Sequence, residues 1–194
     1  MKIREIWAHS HKLLSQNLNP DPWFESEVLL RHTMQMSREK FFASLEDEID
    51  QETKLATIKT LERHISGEPV AYILGYREFY GLNLMVNPDV LIPRQETELL
   101  VEAVLEISKS QPDTHLKIVD VGTGSGAIAI SLAKHLGQTT IYATDLSKAA
   151  LQIANINRKN HMVSEKIRLL HGDSLEPIQD LVDIIVSNPP YLTT

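Results

Sequence analysis

Asn188-Pro189-Pro190-Tyr191, directly after the apolar run Val182–Ser187, is the stretch whose residue types best suit chemistry. An amide or an aromatic amine is a poor nucleophile because its lone pair is delocalised. The side-chain carbonyl of Asn188 and the main-chain carbonyl of Pro189 can each accept a hydrogen bond from a planar NH2 group. Two such acceptors aim the nitrogen and favour positive charge growing on it in the transition state. Pro190 stiffens the loop, and the Tyr191 ring can stack on the planar group. No strong general base is required, because the nitrogen can lose its proton after the transfer.

A second constellation lies 68 residues upstream, in Asp120-Val121-Gly122-Thr123-Gly124-Ser125-Gly126. It follows an apolar run and opens a helical pattern. Glycines there permit positive φ and let a ligand lie against bare backbone, while N–H groups at a helix start favour a carboxylate or phosphate. Gly122, Gly124 and Ala127 fit a dinucleotide fingerprint. Asp120, Gly122, Gly124 and Gly126 fit equally the D-x-G-x-G-x-G turn that holds S-adenosylmethionine. Three alternate glycines exceed what a tight turn alone requires. Asp145 ends the next apolar run, where a carboxylate accepts both hydroxyls of a ribose, and either ligand would offer them. Asp173, in His171-Gly172-Asp173-Ser174, falls where an adenine amino group could be held, although Gly-Asp-Ser is also ordinary loop chemistry. These residues leave both ligands open. The Asn188 loop separates them, since a hydride-transfer enzyme has no use for paired acceptors around an NH2 group. The pairing points to a methyl donor.

The elements that must position these groups follow from periodicity and punctuation. Ile3, Ile6, Trp7, Leu13 and Leu14 recur at helical spacing before Asn19-Pro20-Asp21-Pro22 breaks the chain. Asp21 caps a second helix with Pro22 at its first position, followed by Trp23, Glu27, Leu30 and Met34. Ser37 caps a short third helix, and a fourth spans Gln51–Ser66 with Leu55, Ile58, Leu61 (or Glu62) and Ile65 along one side and Gly67 at its end. Tyr76–Tyr80 and Leu82–Val86 read as a hairpin pivoting at Gly81. A helix carrying Leu99 to Ile107 comes next. Strand Lys117–Val121, helix Ser125–Leu136, strand Thr140–Thr144, helix Ser147–Asn160 and strands Ile167–His171 and Val182–Ser187 complete the pattern. Such alternation predicts a parallel sheet with helices on both faces. The expected domains are a helical bundle at 1–75, a hairpin linker at 76–92 and an α/β domain at 93–194.

Composition narrows the function classes. The 194 residues are 42% hydrophobic and 23% charged, with no run long enough to span a bilayer and no secretory signal at the N-terminus. Absence of cysteine removes disulfides, thiolate metal sites and cysteine nucleophiles, and fits a cytoplasmic protein. A net charge of −7 without a basic run disfavours direct nucleic-acid binding. His9 and His11, two apart on a helix, point different ways, and no metal site is expected. Neither a G-x-x-x-x-G-K-[ST] nor an H-E-x-x-H motif occurs.

The glycine turn, the acidic strand end and NPPY together resemble the amino-methyltransferases that act on planar NH2 groups. Two further stretches narrow that resemblance: Gly67-Glu68-Pro69-Val70-Ala71-Tyr72-Ile73-Leu74-Gly75-Tyr76-Arg77-Glu78-Phe79-Tyr80-Gly81, and Val90-Leu91-Ile92-Pro93-Arg94-Gln95-Glu96-Thr97-Glu98. Both closely resemble the HemK/PrmC family of protein-glutamine methyltransferases. The resemblance implies a Rossmann-like class I S-adenosylmethionine-dependent methyltransferase domain, preceded by a small all-α domain and a β-hairpin linker. It implies methyl transfer to N5 of the glutamine in the Gly-Gly-Gln loop of a peptide-chain release factor, with S-adenosyl-L-homocysteine as product. The helical domain would dock that protein partner. Residues expected at the donor are Asp120, Gly122, Thr123, Gly124, Gly126, Asp145, Asp173 and Asn188. Asn188, Pro189 and Tyr191 would carry the catalysis, with Pro190 beside them in the substrate site. Arg94 and Glu98 match the family signature without an assigned catalytic role. Chains of the family continue through three more strands beyond NPPY, so Val182–Val186 is expected to form an open apolar edge and the methyltransferase domain to be C-terminally incomplete. Two rival readings are adenine or guanine N-methylation in nucleic acid, and a non-catalytic chain that binds a release factor.

Overall fold

The computed structural model describes residues 1–17, 19–110 and 114–189; Pro190 and Tyr191 lie outside them. The chain divides into two compact units, Met1–Leu74 and Gly75–Thr194.

The first unit is helical: α1 (Ile3–Gln16), α2 (Pro22–Met34), α3 (Arg38–Ala43), α4 (Gln51–Ile65) and α5 (Val70–Leu74). Its starts are set by side-chain caps. Asp21, Ser37 and Asp50 accept from the main-chain N–H of Phe24, Lys40 and Thr53 at 3.2, 3.3 and 2.7 Å. Ile3, Ile6, Leu30 and Phe41 form one core cluster, and Leu14, Leu29, Leu61 and Ile73 a second. One expectation is revised, and one helix is added. Helix α4 buries Thr57 and Leu61 and leaves Leu55 57% exposed, because its packing face is rotated from the apolar stripe. Helix α5 has no long periodic pattern to announce it. It starts from Pro69, whose carbonyl accepts from Tyr72 and Ile73, and burying Ile73 in the second cluster holds it.

The second unit opens with a hairpin, β1 (Tyr76–Phe79) and β2 (Leu82–Met85), in which Phe79 faces Leu82 across the pair. Tyr80 and Gly81 both take positive φ, 51° and 72°, the turn geometry that matches strand twist. A single 3-10 turn (Gln95–Thr97) leads into α6 (Glu98–Lys109). Then follow β3 (Leu116–Val121), α7 (Ala127–His135), β4 (Thr139–Asp145), α8 (Lys148–Asn160), β5 (Ile167–His171) and β6 (Ile184–Ser187). The four strands are parallel in the order β5-β4-β3-β6.

Ile118, Ile141, Ile167 and Val186 share one core with Phe79 and Leu84 of the hairpin and with residues of α6 and α7. Among the described residues the helices touch their neighbours in series, α6 on α7 and α7 on α8. By the pleat, Val119, Tyr142 and Ile185 point the other way, and Ile185 is 54% exposed on the edge strand β6. Strand β6 starts later than expected because Asp183 bridges to β3 instead. Its N–H donates to the Lys117 carbonyl and its carboxylate accepts the Lys117 N–H, both at 2.8 Å. No described helix is long and apolar enough to cross a membrane.

Candidate active site

The strand order places the site. The chain moves from β3 outward through β4 to β5, then returns to lay β6 on the other side of β3. Loops leaving the carboxyl ends of β3 and β6 therefore diverge, and the crevice between them is where open parallel sheets bind ligands. The glycine turn leaves β3 and the Asn188 loop leaves β6.

The turn is fixed by the strands around it. The N–H groups of Gly122 and Thr123 both donate to the Thr144 carbonyl at 2.9 Å, and the Gly126 N–H reaches the Thr123 carbonyl at 2.8 Å. Asp120 lies beneath, 1% exposed. Its carboxylate accepts the Thr123 hydroxyl at 2.7 Å and the Ala129 N–H at 3.2 Å. Burial pushes its pKa up to about 6, against the lowering effect of those two donors and with a smaller push from the charge of Asp145. Asp120 thus braces the turn from inside the fold.

The three glycines differ in role. Gly122 and Gly124, at φ 71° and 55°, have open space where a Cβ would stand, and both line a cavity of about 410 Å3. At Gly126, φ 83°, a Cβ would fall 2.9 Å from Ile130 Cδ1 and 3.4 Å from the Ala154 Cβ. Gly126 is absent from that cavity's lining and serves the packing of α7 on α8. Its left-handed backbone also explains why α7 opens at Ala127 and not at Ser125.

Around the same cavity the structure gathers Asp145, Asp173, Asn188 and Pro189, with Leu91, Leu146 and Ala150 as apolar wall. Asp145 accepts the Gly124 N–H at 2.9 Å on one carboxylate oxygen and the Ser147 N–H at 2.8 Å on the other. Asp173 is exposed at the rim and accepts the Ser174 hydroxyl at 2.8 Å. Ser187 donates to the Val121 carbonyl at 2.9 Å, tying the root of the Asn188 loop to the root of the glycine turn. Asn188 Nδ2 donates to Thr97 Oγ1 at 2.8 Å across 91 residues. Asn188 and Thr97 also line a smaller, adjoining cavity with Gly122, Gly124, Ser125 and Ile128.

Sequence reasoning gave Thr97 no role, although it stands inside the Ile92-Pro93-Arg94-Gln95-Glu96-Thr97-Glu98 signature. It also passed over Leu146, whose signal was an apolar residue left 66% exposed just after the strand-end acid. Asn157 was missed as well. Fully buried on α8, it accepts the Met85 N–H at 2.7 Å and donates to the Met85 and Ser125 carbonyls, both at 2.9 Å, so it fastens the hairpin to the glycine turn.

This topology with its glycine turn is that of a class I S-adenosylmethionine-dependent methyltransferase. Two solved structures share the fold: a SAM-dependent methyltransferase from Agrobacterium tumefaciens (TM-score 0.51, 19% identity, 59% of this chain and 39% of that one) and the delta-N METTL16 methyltransferase domain (TM-score 0.50, 23% identity, 61% and 56%). Residues 95–194 match the methyltransferase small domain, and residues 5–75 match the PrmC N-terminal domain. Release factor glutamine methyltransferase of Moorella thermoacetica is 40% identical over 195 residues, covering 100% of this chain and 68% of that protein. The same-named proteins of Coxiella burnetii and Bacillus subtilis are 43% and 44% identical, over 93% and 87% of this chain and 66% and 59% of theirs. The chain belongs to this HemK/PrmC family of methyltransferases, and it spans about two thirds of the length of those relatives.

Proposed function

We propose that this chain transfers a methyl group from S-adenosylmethionine to the side-chain amide nitrogen of a glutamine in a peptide-chain release factor. The observation that carries the reading is convergence. Asn188 and Pro189 line the same cavity as Gly122, Gly124 and Asp145, on a chain whose relatives bear that activity in their name.

The residues present fit the donor. Gly122 and Gly124 leave room for a ligand to lie on backbone, and the N-terminus of α7 offers N–H groups suited to a carboxylate. Asp145 would accept the ribose hydroxyls and Asp173 the adenine amino group, between Leu146 and Ala150. The bound donor supplies an electrophilic methyl on a sulfonium. The chain supplies orientation: Asn188 Oδ1 and the Pro189 carbonyl would each accept one hydrogen of the substrate NH2. Thr97 supports this by holding Asn188 Nδ2, which fixes the plane of the amide. Pro190 and Tyr191 keep the roles assigned from sequence, loop stiffening and stacking. Polarising both N–H bonds favours the nitrogen as it becomes positive, without a buried base.

The test is incubation with labelled S-adenosylmethionine and a purified release factor, wild type beside a Gln→Ala change in its Gly-Gly-Gln loop. Label on the wild type alone is the expected result. Label on both, or on nucleic acid instead, would overturn the glutamine assignment.

A further inference from the structure

Beside the Asn188 cavity lies a third, more open hollow of about 540 Å3, lined by Arg77, Leu91, Pro93, Arg94, Gln95 and Glu96 among others. The three hollows are contiguous. Leu91 borders all of them, Pro93 borders the second and third, and Asn188 the first and second.

Its two arginines stand apart from the rest. Each of the six other arginines has a carboxylate, carbonyl or aromatic-ring partner. Arg77 and Arg94 have no such partner among the described residues, and both are exposed. In a chain of net charge −7, two guanidiniums lining one groove with no partner among the described residues need a reason. Their side chains offer five N–H donors each and no acceptor. Gln95 and Glu96 place acceptors on the same wall, and Leu91 and Pro93 give an apolar floor. A pure anion would meet the Glu96 carboxylate. A lining of donors and acceptors over an apolar floor matches polypeptide main chain, which presents C=O and N–H in alternation.

We infer that this groove binds the main chain flanking the methylated amide, with Arg77 and Arg94 donating to its carbonyl oxygens and Gln95 and Glu96 accepting from its N–H groups. The inference rests on the glutamine reading above. A target side chain reaching Asn188 must bring its own backbone across the adjoining surface, and Leu91 and Pro93 form that surface. Recognition here tolerates varied side chains and demands an extended segment. The groove is thus a reader of substrate conformation beside a reader of the amide.

The decisive experiment compares the full-length protein with its Arg77→Gln/Arg94→Gln variant on peptides from around the target glutamine of a release factor, trimmed stepwise toward the capped residue. Hydrogen bonds to charged groups predict that kcat/KM on the long peptide falls by about tenfold or more per arginine, through a higher KM for the peptide and with donor affinity unchanged. The gap between variant and wild type should close as flanking residues are removed. Equal kcat/KM of the two proteins on the long peptide overturns the groove assignment, and so does a deficit that persists undiminished on the shortest peptide turned over. A nucleic acid bound by the wild type and lost by the variant overturns it too. A wild type that methylates no glutamine at all defeats the functional reading itself, a separate and recognisable result.

Discussion

The helical unit and the α/β unit handle polar groups in opposite ways. In the first, charge is closed on itself. Glu27, nearly buried, holds Arg31 at 3.1 Å and Arg38 at 2.9 Å; Arg63 pairs with Glu68 at 2.6 Å; His64 joins α4 to Glu25 of α2 at 2.6 Å. In the second, the polar groups at the carboxyl ends of β3, β4 and β6 face a cavity, and two arginines beside it have no partner among the described residues. Backbone strain divides the same way. Gln35 and Gly67 are the described residues with positive φ in the helical unit, whereas the α/β unit has eight, three of them in the glycine turn. One unit uses its polar residues to finish a fold, and the other holds them ready for ligands.

The sharpest way to break that comparison is Asn188→Ala. If the loop is poised for chemistry, turnover should fall by about a hundredfold to a thousandfold while donor affinity, read by calorimetry, barely changes. Near-normal turnover would sink the proposed role. Next in size is the contrast between two glycines of one turn. Gly126→Ala meets Ile130 at 2.9 Å and should lower stability by about 1–3 kcal/mol in chemical denaturation, with folded protein still binding donor. Gly124→Ala enters open space and should cost only about 1 kcal/mol for its left-handed backbone, yet weaken the donor more than Gly126→Ala does. The reverse ranking in donor affinity would remove Gly124 from the site.

A third test weighs paired against unpaired charge. Glu27→Ala removes the carboxylate between two arginines and should destabilise by about 1–3 kcal/mol. Arg94→Ala should change stability by no more than about 0.5 kcal/mol, and a larger loss would mean that Arg94 has a structural partner. The smallest effect concerns pH. Because the folded pKa of Asp120 is raised from 3.8 to about 6, the folded state binds a proton more tightly than the unfolded state between those values. This contribution favours folding at low pH and is lost as pH rises through about 6. The stability of wild type relative to Asp120→Asn should therefore decline from pH 4 to pH 7. A flat difference would show that the carboxylate is better solvated than its burial implies.

Legibility followed the range of the interaction. The caps at Asp21 and Ser37, the Tyr80-Gly81 turn and the succession of strands and helices are local patterns, decided within a few residues, and reading them needed no partner. Misreadings arose where a distant contact chose. Leu55 fits an apolar stripe, yet the packing of α4 selects Thr57 and Leu61. At Gly126 the tertiary structure adds what spacing could not show: a Cβ there would meet Ile130 and Ala154.

The site divides along the same line. By itself the sequence determined the glycine turn, the strand-end carboxylate of Asp145 and the paired acceptors of the Asn188 loop, because backbone conformation and functional-group chemistry are encoded residue by residue. Only the tertiary structure decided that β6 returns beside β3, which brings Asn188 to the glycine turn and Thr97 to Asn188. It also put Arg77 and Arg94, without a partner among the described residues, in one groove, and it set Asn157 between the hairpin and Ser125. The physical reason is that hydrogen bonds between residues 32 to 91 positions apart depend on sheet order and helix packing, which arise from burying apolar surface over the whole unit. No local spacing records them.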